Sequence, residues 1–172
     1  MSLFSVNSGS LRLVVTILTC TVILLSCGQR EVEEMSKNGE LNQINLDGYR
    51  WKNRLVLIFA PSSKDGSYLE QKSEFEGKAD ELEDRDIIMI ELLKAGISMM
   101  DDVPLADNQQ LLLRKKFQVI DDFVFILIGK DGTVKRRTKQ PVLCDELFSL
   151  IDSMPMRKEE MRRKASQSRN KN

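Results

Sequence analysis

Two segments of this chain, residues 54–60 and 123–128, are apolar almost without interruption. A strand with one wet face alternates apolar and polar residues, so an unbroken run has to be covered on both faces. That requirement calls for a sheet with helices on either side. The second run leads through Asp131-Gly132, a pair suited to the positive φ of a tight type I′ turn, into a segment where Val134 is followed by Lys135, Arg136 and Arg137. The turn makes these two strands antiparallel. The cationic strand suits a sheet edge, where lysine and arginine discourage pairing with another chain.

The intervening segments supply the remaining elements. Pro61 and the cluster Ser62-Ser63-Lys64-Asp65-Gly66-Ser67 break the first strand. Tyr68, Leu69, Phe75, Ala79 and Leu82 then recur at helical spacing, which predicts one amphipathic helix capped by Ser63 or Ser67. Residues 87–92 read as a second strand. A looser segment with Gly96, Asp101, Asp102 and Pro104 precedes a helix over 107–117. Leu147, Phe148, Leu150, Ile151 and Met154 form the apolar face of a last helix, which Pro155 stops or kinks. The first two strands need a right-handed crossover and so lie parallel, and the two all-apolar strands take the middle of the sheet. The expected fold class is α/β: a thioredoxin-like, four-stranded mixed central sheet in the order β-α-β-α-β-β-α, flanked by helices. With 172 residues and 41% hydrophobic content, the chain holds enough for one core.

The N-terminal region has a different character. Arg12 precedes a 13-residue apolar run, residues 13–25, too short to span a bilayer core of roughly 30 Å but right for the apolar region of a secretory signal. The run ends in Leu24-Leu25-Ser26-Cys27, which resembles the bacterial lipobox, at which the cysteine thiol is lipidated and the preceding peptide removed. Residues 1–26 are therefore expected to be a lipoprotein signal peptide, with Cys27 the lipid attachment site and the membrane a partner through that lipid. Residues 27–43 are polar, without a sustained apolar period, and read as a tether. The thioredoxin-like domain is assigned to 44–156 and a basic tail to 157–172. Gly28 is not the aspartate that marks inner-membrane retention in enteric bacteria, so a periplasm-facing envelope lipoprotein, preferentially of the outer membrane, is expected.

Composition removes several function classes. The chain has no histidine, so His-dependent triads, His-ligated metals and imidazole switching are absent. Formal net charge is zero, which gives no global argument for nucleic acid. Thioredoxin chemistry needs a thiolate at a helix N-terminus and usually a second, resolving thiol. The place after the first strand where those thiols would stand holds Ser62 and Ser63, and the place of the usual cis-proline falls near Val124. With Cys20 in the signal and Cys27 lipidated, Cys144 is the remaining thiol. Its position ahead of the last helix would favour a thiolate, but Asp145 and Glu146 oppose it, so a small buried side chain is the expected role.

Other residues are weighed in the same way. Ser62, Ser63 and Lys64 form either an anion-binding nest or a cap and turn. Tyr49, Arg50 and Trp51 form either a recognition patch or, for Trp51, a cover over one sheet edge. Lys130-Asp131 reads as turn chemistry. Asp101, Asp102 and Asp107 read as caps and loop, with no metal ligand set. After Pro155, seven basic residues stand against Glu159 and Glu160, a local charge of +5. That tail either meets an anionic surface or extends a helix into solvent.

Four phrases carry a family resemblance: Tyr49-Arg50-Trp51-Lys52-Asn53-Arg54, Leu57-Ile58-Phe59-Ala60-Pro61, Leu127-Ile128-Gly129-Lys130-Asp131-Gly132, and Leu150-Ile151-Asp152-Ser153-Met154-Pro155-Met156-Arg157. They resemble a domain-of-unknown-function family, numbered 4174, of peroxiredoxin-like domains in short bacterial envelope proteins and in extracellular vertebrate sushi-repeat and coiled-coil proteins. The resemblance covers about residues 42–162. It implies the thioredoxin-like fold and no established reaction. The expected function is an envelope-anchored, redox-inactive module that binds another envelope protein or polymer, without a cofactor. The alternative is a peroxiredoxin-like enzyme handling oxidants through Cys144 or another polar site.

Overall fold

The first apolar run becomes the strand on which the domain is built. The computed structural model describes residues 45–120 and 122–169; the expected signal, the tether and Cys27 lie outside the described residues. The run forms β1 (Arg54–Ser62), followed by α1 (Gly66–Phe75), α2 (Ala79–Asp84) and β2 (Ile87–Ala95). Next come β3 (Met99–Met100), β4 (Val103–Pro104), α3 (Asp107–Lys116), β5 (Val124–Ile128) and β6 (Val134–Thr138). Two helices, α4 (Cys144–Ser153) and α5 (Pro155–Arg169), complete the chain, and a 3-10 turn, Leu46–Tyr49, precedes β1.

The sheet order is β4-β3-β2-β1-β5-β6. β1 pairs parallel with β2 and antiparallel with β5, with Leu57 opposite Ile90 on one side and Ile126 on the other. The two unbroken apolar runs thus sit side by side in the centre, as their composition requires. Their residues divide by parity. Val56, Ile58, Ala60, Phe125 and Leu127 face α1 and α4 through Tyr68, Phe75, Leu147 and Ile151. Leu55, Leu57, Phe59, Ile126 and Ile128 face α3 and the 3-10 turn through Leu113 and Leu46. Each Leu, Ile or Phe wholly removed from water contributes roughly 2 kcal/mol, so this double-sided strand pair is the main source of stability.

The sheet has six strands where four were expected. The additions are the short β3–β4 hairpin, whose tip residues Asp101 (φ 42) and Asp102 (φ 64) both take positive φ, as a type I′ turn requires. Asp101 also accepts a hydrogen bond from the Met89 N–H at 3.1 Å. The aspartates of this segment therefore build a turn. Conversely, the β5–β6 connection is no type I′ turn. Only Gly132 there has positive φ, Gly132 N–H donates to Gly129 O at 2.9 Å, and Gly129 N–H donates to Thr133 O at 2.9 Å. This is a turn closed by a left-handed glycine bulge, and the strand it leads into lies on the sheet edge, as its charge implied.

The single helix expected from Tyr68 to Leu82 is broken. Gly77 (φ 71) turns the chain between α1 and α2, which a helix interior does not allow. Trp51 is 63% exposed, with φ 65, so most of its surface is left to solvent. The chain after Pro155 is helical to Arg169, and Arg157 is buried at 3% exposure, so the domain's packing continues beyond residue 156.

Candidate functional site

β1 has two ends, and they differ in chemistry. At its C-terminal end, Pro61 and Ser62 are half-buried while Ser63 and Lys64 are exposed. Ser62 Oγ accepts from the Lys64 N–H at 3.3 Å, and Ser62 O accepts from the Asp65 N–H at 3.2 Å. The helix cap is Asp65, whose Oδ1 accepts from the Tyr68 N–H at 3.0 Å. Neither Ser63 nor Ser67 caps the helix. The positive end of the α1 dipole, which would draw an anion to Ser62-Ser63-Lys64 or acidify a thiol there, thus already carries a carboxylate.

Beneath this end lies a residue the sequence did not single out. Arg114 on α3 is 6% exposed, and its Nη2 donates to Ala60 O and Leu92 O, each at 2.7 Å, with the guanidinium 5.6 Å from the Phe59 ring. It ties together the ends of β1 and β2. Written as Leu113-Arg114-Lys115-Lys116, it reads as the solvated basic end of a helix, and nothing local distinguishes it from its neighbours. Val124, where a cis-proline would stand, pairs with Phe59, and no described peptide bond is cis.

Cys144 belongs to neither end. It is 3% exposed; its backbone N–H donates to Glu74 Oε2 at 3.1 Å and its Sγ–H to Glu74 O at 2.9 Å. Burial, then the Glu74 carboxylate, pushes the thiol up to about 11. Glu74 lies in the last turn of α1 and Asp65 caps the first, about 13 Å apart along the axis. The structure therefore does not bring the thiol together with the two serines.

The N-terminal end of β1 gathers charge instead. Arg54, 1% exposed, donates through Nη1 to Arg85 O at 2.8 Å and grips Glu160 of α5 with both terminal nitrogens at 3.2 Å. Lys130, from the β5–β6 turn, pairs with Asp86 at 2.6 Å and Glu160 at 2.8 Å. Arg157 binds the Asp84 carboxylate, Asp84 O at 2.7 Å and Asp152 at 3.0 Å. Arg85 meets Asp152 at 2.7 Å and lies 4.3 Å over the Phe148 ring; Lys164 meets Asp84 at 2.6 Å. Arg157 Nη1 also lies 3.8 Å from Glu160, which joins these pairs, among the described residues, into one network of five cations and four carboxylates. Lys130 is thus more than turn chemistry, and the start of the basic tail is latched to the domain.

The titration of the acids reflects this. Hydrogen bonds from Lys164 and Arg157 lower Asp84 to about 2. Burial alone would raise Glu160, but hydrogen bonds from Lys130 and Arg54 hold it below its ordinary value, and Asp152 is likewise lowered by Arg85 and Arg157 against its burial. Three of the four phrases that carry the family resemblance meet here: the one ending in Arg54, the one holding Lys130, and the one holding Asp152 and Arg157. Their convergence was the available signal for this site. It is readable as a site only once the turns are placed.

Over 67% of this chain and 85% of that one, the backbone is similar to that of the reduced 2-Cys peroxiredoxin of Plasmodium vivax, with a TM-score of 0.51 at 17% identity. At that identity the likeness concerns fold alone. In sequence the chain is 32% identical over 115 residues to sushi repeat-containing protein SRPX2 of Xenopus laevis, covering 63% of this chain and 24% of that protein. It is 32% identical over 124 residues to human sushi repeat-containing protein SRPX (67% and 26%) and 28% identical over 133 residues to coiled-coil domain-containing protein 80 of Danio rerio (67% and 15%). The chain thus corresponds to about a quarter or less of the length of these relatives. A family model matches residues 45–160, which include β1, both of its ends and the latch residue Glu160. The chain belongs to the family described as Domain of unknown function (DUF4174).

Proposed function

We propose that this chain is a non-catalytic thioredoxin-fold module that binds another component of the bacterial cell envelope, to which a lipid on Cys27 anchors it. The observation that carries the non-catalytic reading is Asp65. Its carboxylate occupies the helix end at which a redox protein of this fold would hold its thiolate, and Ser62 and Ser63 precede it. A hydroxyl there is far too weak an acid to take the thiol's role, and the chain has no histidine to activate it. The remaining thiol, Cys144, is fastened to Glu74; with a pKa of about 11, roughly one molecule in ten thousand carries the thiolate at pH 7.

Peroxide consumption by the full-length protein in a coupled thiol-reductase assay tests this. The expected rate is the buffer rate, unchanged by Cys144→Ser. A rate well above buffer that Cys144→Ser abolishes would instead establish a peroxiredoxin-like enzyme.

A further inference from the structure

The second half of α3 and the loop after it leave two large aliphatic side chains in water: Leu111 is 67% exposed and Ile120 81%. Between them runs a groove of about 380 Å³, whose walls also include Lys94, Arg114, Lys115 and Val119. Arg114, bonded to Ala60 O and Leu92 O, places it at the C-terminal ends of β1 and β2. We propose that this groove is the docking surface of the module, and that it takes an extended segment of a partner protein in which an aliphatic or aromatic side chain is flanked by aspartate or glutamate. The inference rests on the binding-module reading and names the partner's chemistry. Its first support is the apolar surface itself. A single exposed leucine is ordinary, but two aliphatic side chains on the walls of one groove form a patch that gains from being covered.

The second support is that the groove is held in shape. Gln118 takes φ 53, a left-handed conformation that is costly for a residue with a side chain. The turn sends Val119 into the core, at 5% exposure, and leaves Ile120 outside. Val119 N–H donates to Arg114 O at 2.9 Å, and Arg114 Nη1 donates to Ile120 O at 3.4 Å. The arginine that braces the strand ends thus also fixes Ile120, so the surface is formed before a partner arrives and less ordering is lost on binding. The third support is charge. The ionisable residues on the walls, Lys94, Arg114 and Lys115, are all cations, and among the described residues no acid lines the groove. Lys115 stands four residues after Leu111 on the same face of α3, is exposed, and forms no ion pair among the described residues. An acidic segment is drawn to this rim and a basic one repelled. A groove admits a side chain, which a peptide offers and a flat bilayer does not.

The experiment selects binders of the full-length protein from a library of random dodecapeptides and measures the most enriched peptide by fluorescence anisotropy. Phosphatidylcholine vesicles with and without phosphatidylglycerol, and sedimentation of the protein alone, serve as parallel arms. The expected peptides carry Leu, Ile, Phe or Trp beside Asp or Glu. Leu111→Ser and Ile120→Ser each weaken binding roughly tenfold. Lys115→Glu weakens it as well, and added salt has the same effect. Leu143→Ser, at a side chain 57% exposed just before α4, leaves it unchanged. All four substitutions are at exposed positions, so thermal melting stays that of the parent chain. Enrichment of no peptide, enrichment of apolar peptides without acids, or affinity unmoved by Ile120→Ser and Lys115→Glu overturns the proposal. So does vesicle binding or self-association that Ile120→Ser abolishes. Peroxide consumption would sink the binding-module reading itself, whereas a failed selection with the peroxide rate at the buffer level would sink this surface alone.

Discussion

The two ends of β1, Arg54 and Ser62, lie at opposite ends of a nine-residue strand and differ in character. The C-terminal end, where this fold ordinarily carries its chemistry, is a turn of two serines and a solvent-exposed lysine before a helix already capped by Asp65, with the buried Arg114 bonded to backbone carbonyls beneath it. The N-terminal end holds a buried arginine, a buried lysine and a helix latched down by charge. Both ends are close to the same central strand and the same core. Their difference teaches that keeping the fold does not keep the site, and that buried charge can gather at the opposite pole of the same central strand.

The largest effect should come from breaking the charged end. Glu160→Ala removes the carboxylate shared by Arg54 and Lys130 and leaves a buried guanidinium uncompensated. A loss of about 3 kcal/mol in urea unfolding is expected. A loss below 1 kcal/mol would mean that the latch is ornamental and the two ends energetically alike. Acid should reach the same latch more gradually. Asp84 titrates at about 2 in the folded protein against an ordinary value near 4, so its contribution is complete above that ordinary value and disappears as pH falls through about 2. Hydrogen exchange in α5 should therefore accelerate between pH 4 and pH 2 ahead of exchange in β1; simultaneous loss would show that α5 is no separate unit.

The smallest effects belong to the serine end. Asp65→Ala should cost about 1 kcal/mol, the usual worth of a helix cap. Ser62→Ala and Ser63→Ala should each stay within about 0.5 kcal/mol, because their hydroxyls serve at most one exposed turn bond. If either serine proved as costly as Asp65, the turn would hold a contact that the comparison of the two ends leaves out.

Much of the fold was legible in the residues. The all-apolar runs at 54–60 and 123–128 could only be central strands, and the cationic stretch after Gly132 could only be an edge. Turn types were less legible, since Asp131-Gly132 and Asp101-Asp102 both permit positive φ and strand register chose between them. The site was least legible. Arg54, Lys130, Arg157 and Glu160 lie up to 106 positions apart, and each has an innocent local reading as a strand flank, a turn or a basic tail.

By itself the sequence determined the layered α/β architecture, the parallel and antiparallel order of the central strands, and the missing thiols after Pro61, because periodicity, turn residues and residue identity are local properties. The tertiary structure decided that Asp65 caps α1, that Cys144 is fixed to Glu74, that Arg114 braces the vacant end, and that the chain after Pro155 folds back onto Arg54. The physical reason is that the energy of a charge depends on its surroundings. Whether a lysine or glutamate is solvated decoration or part of a buried network is set by partners that only folding brings within hydrogen-bond reach.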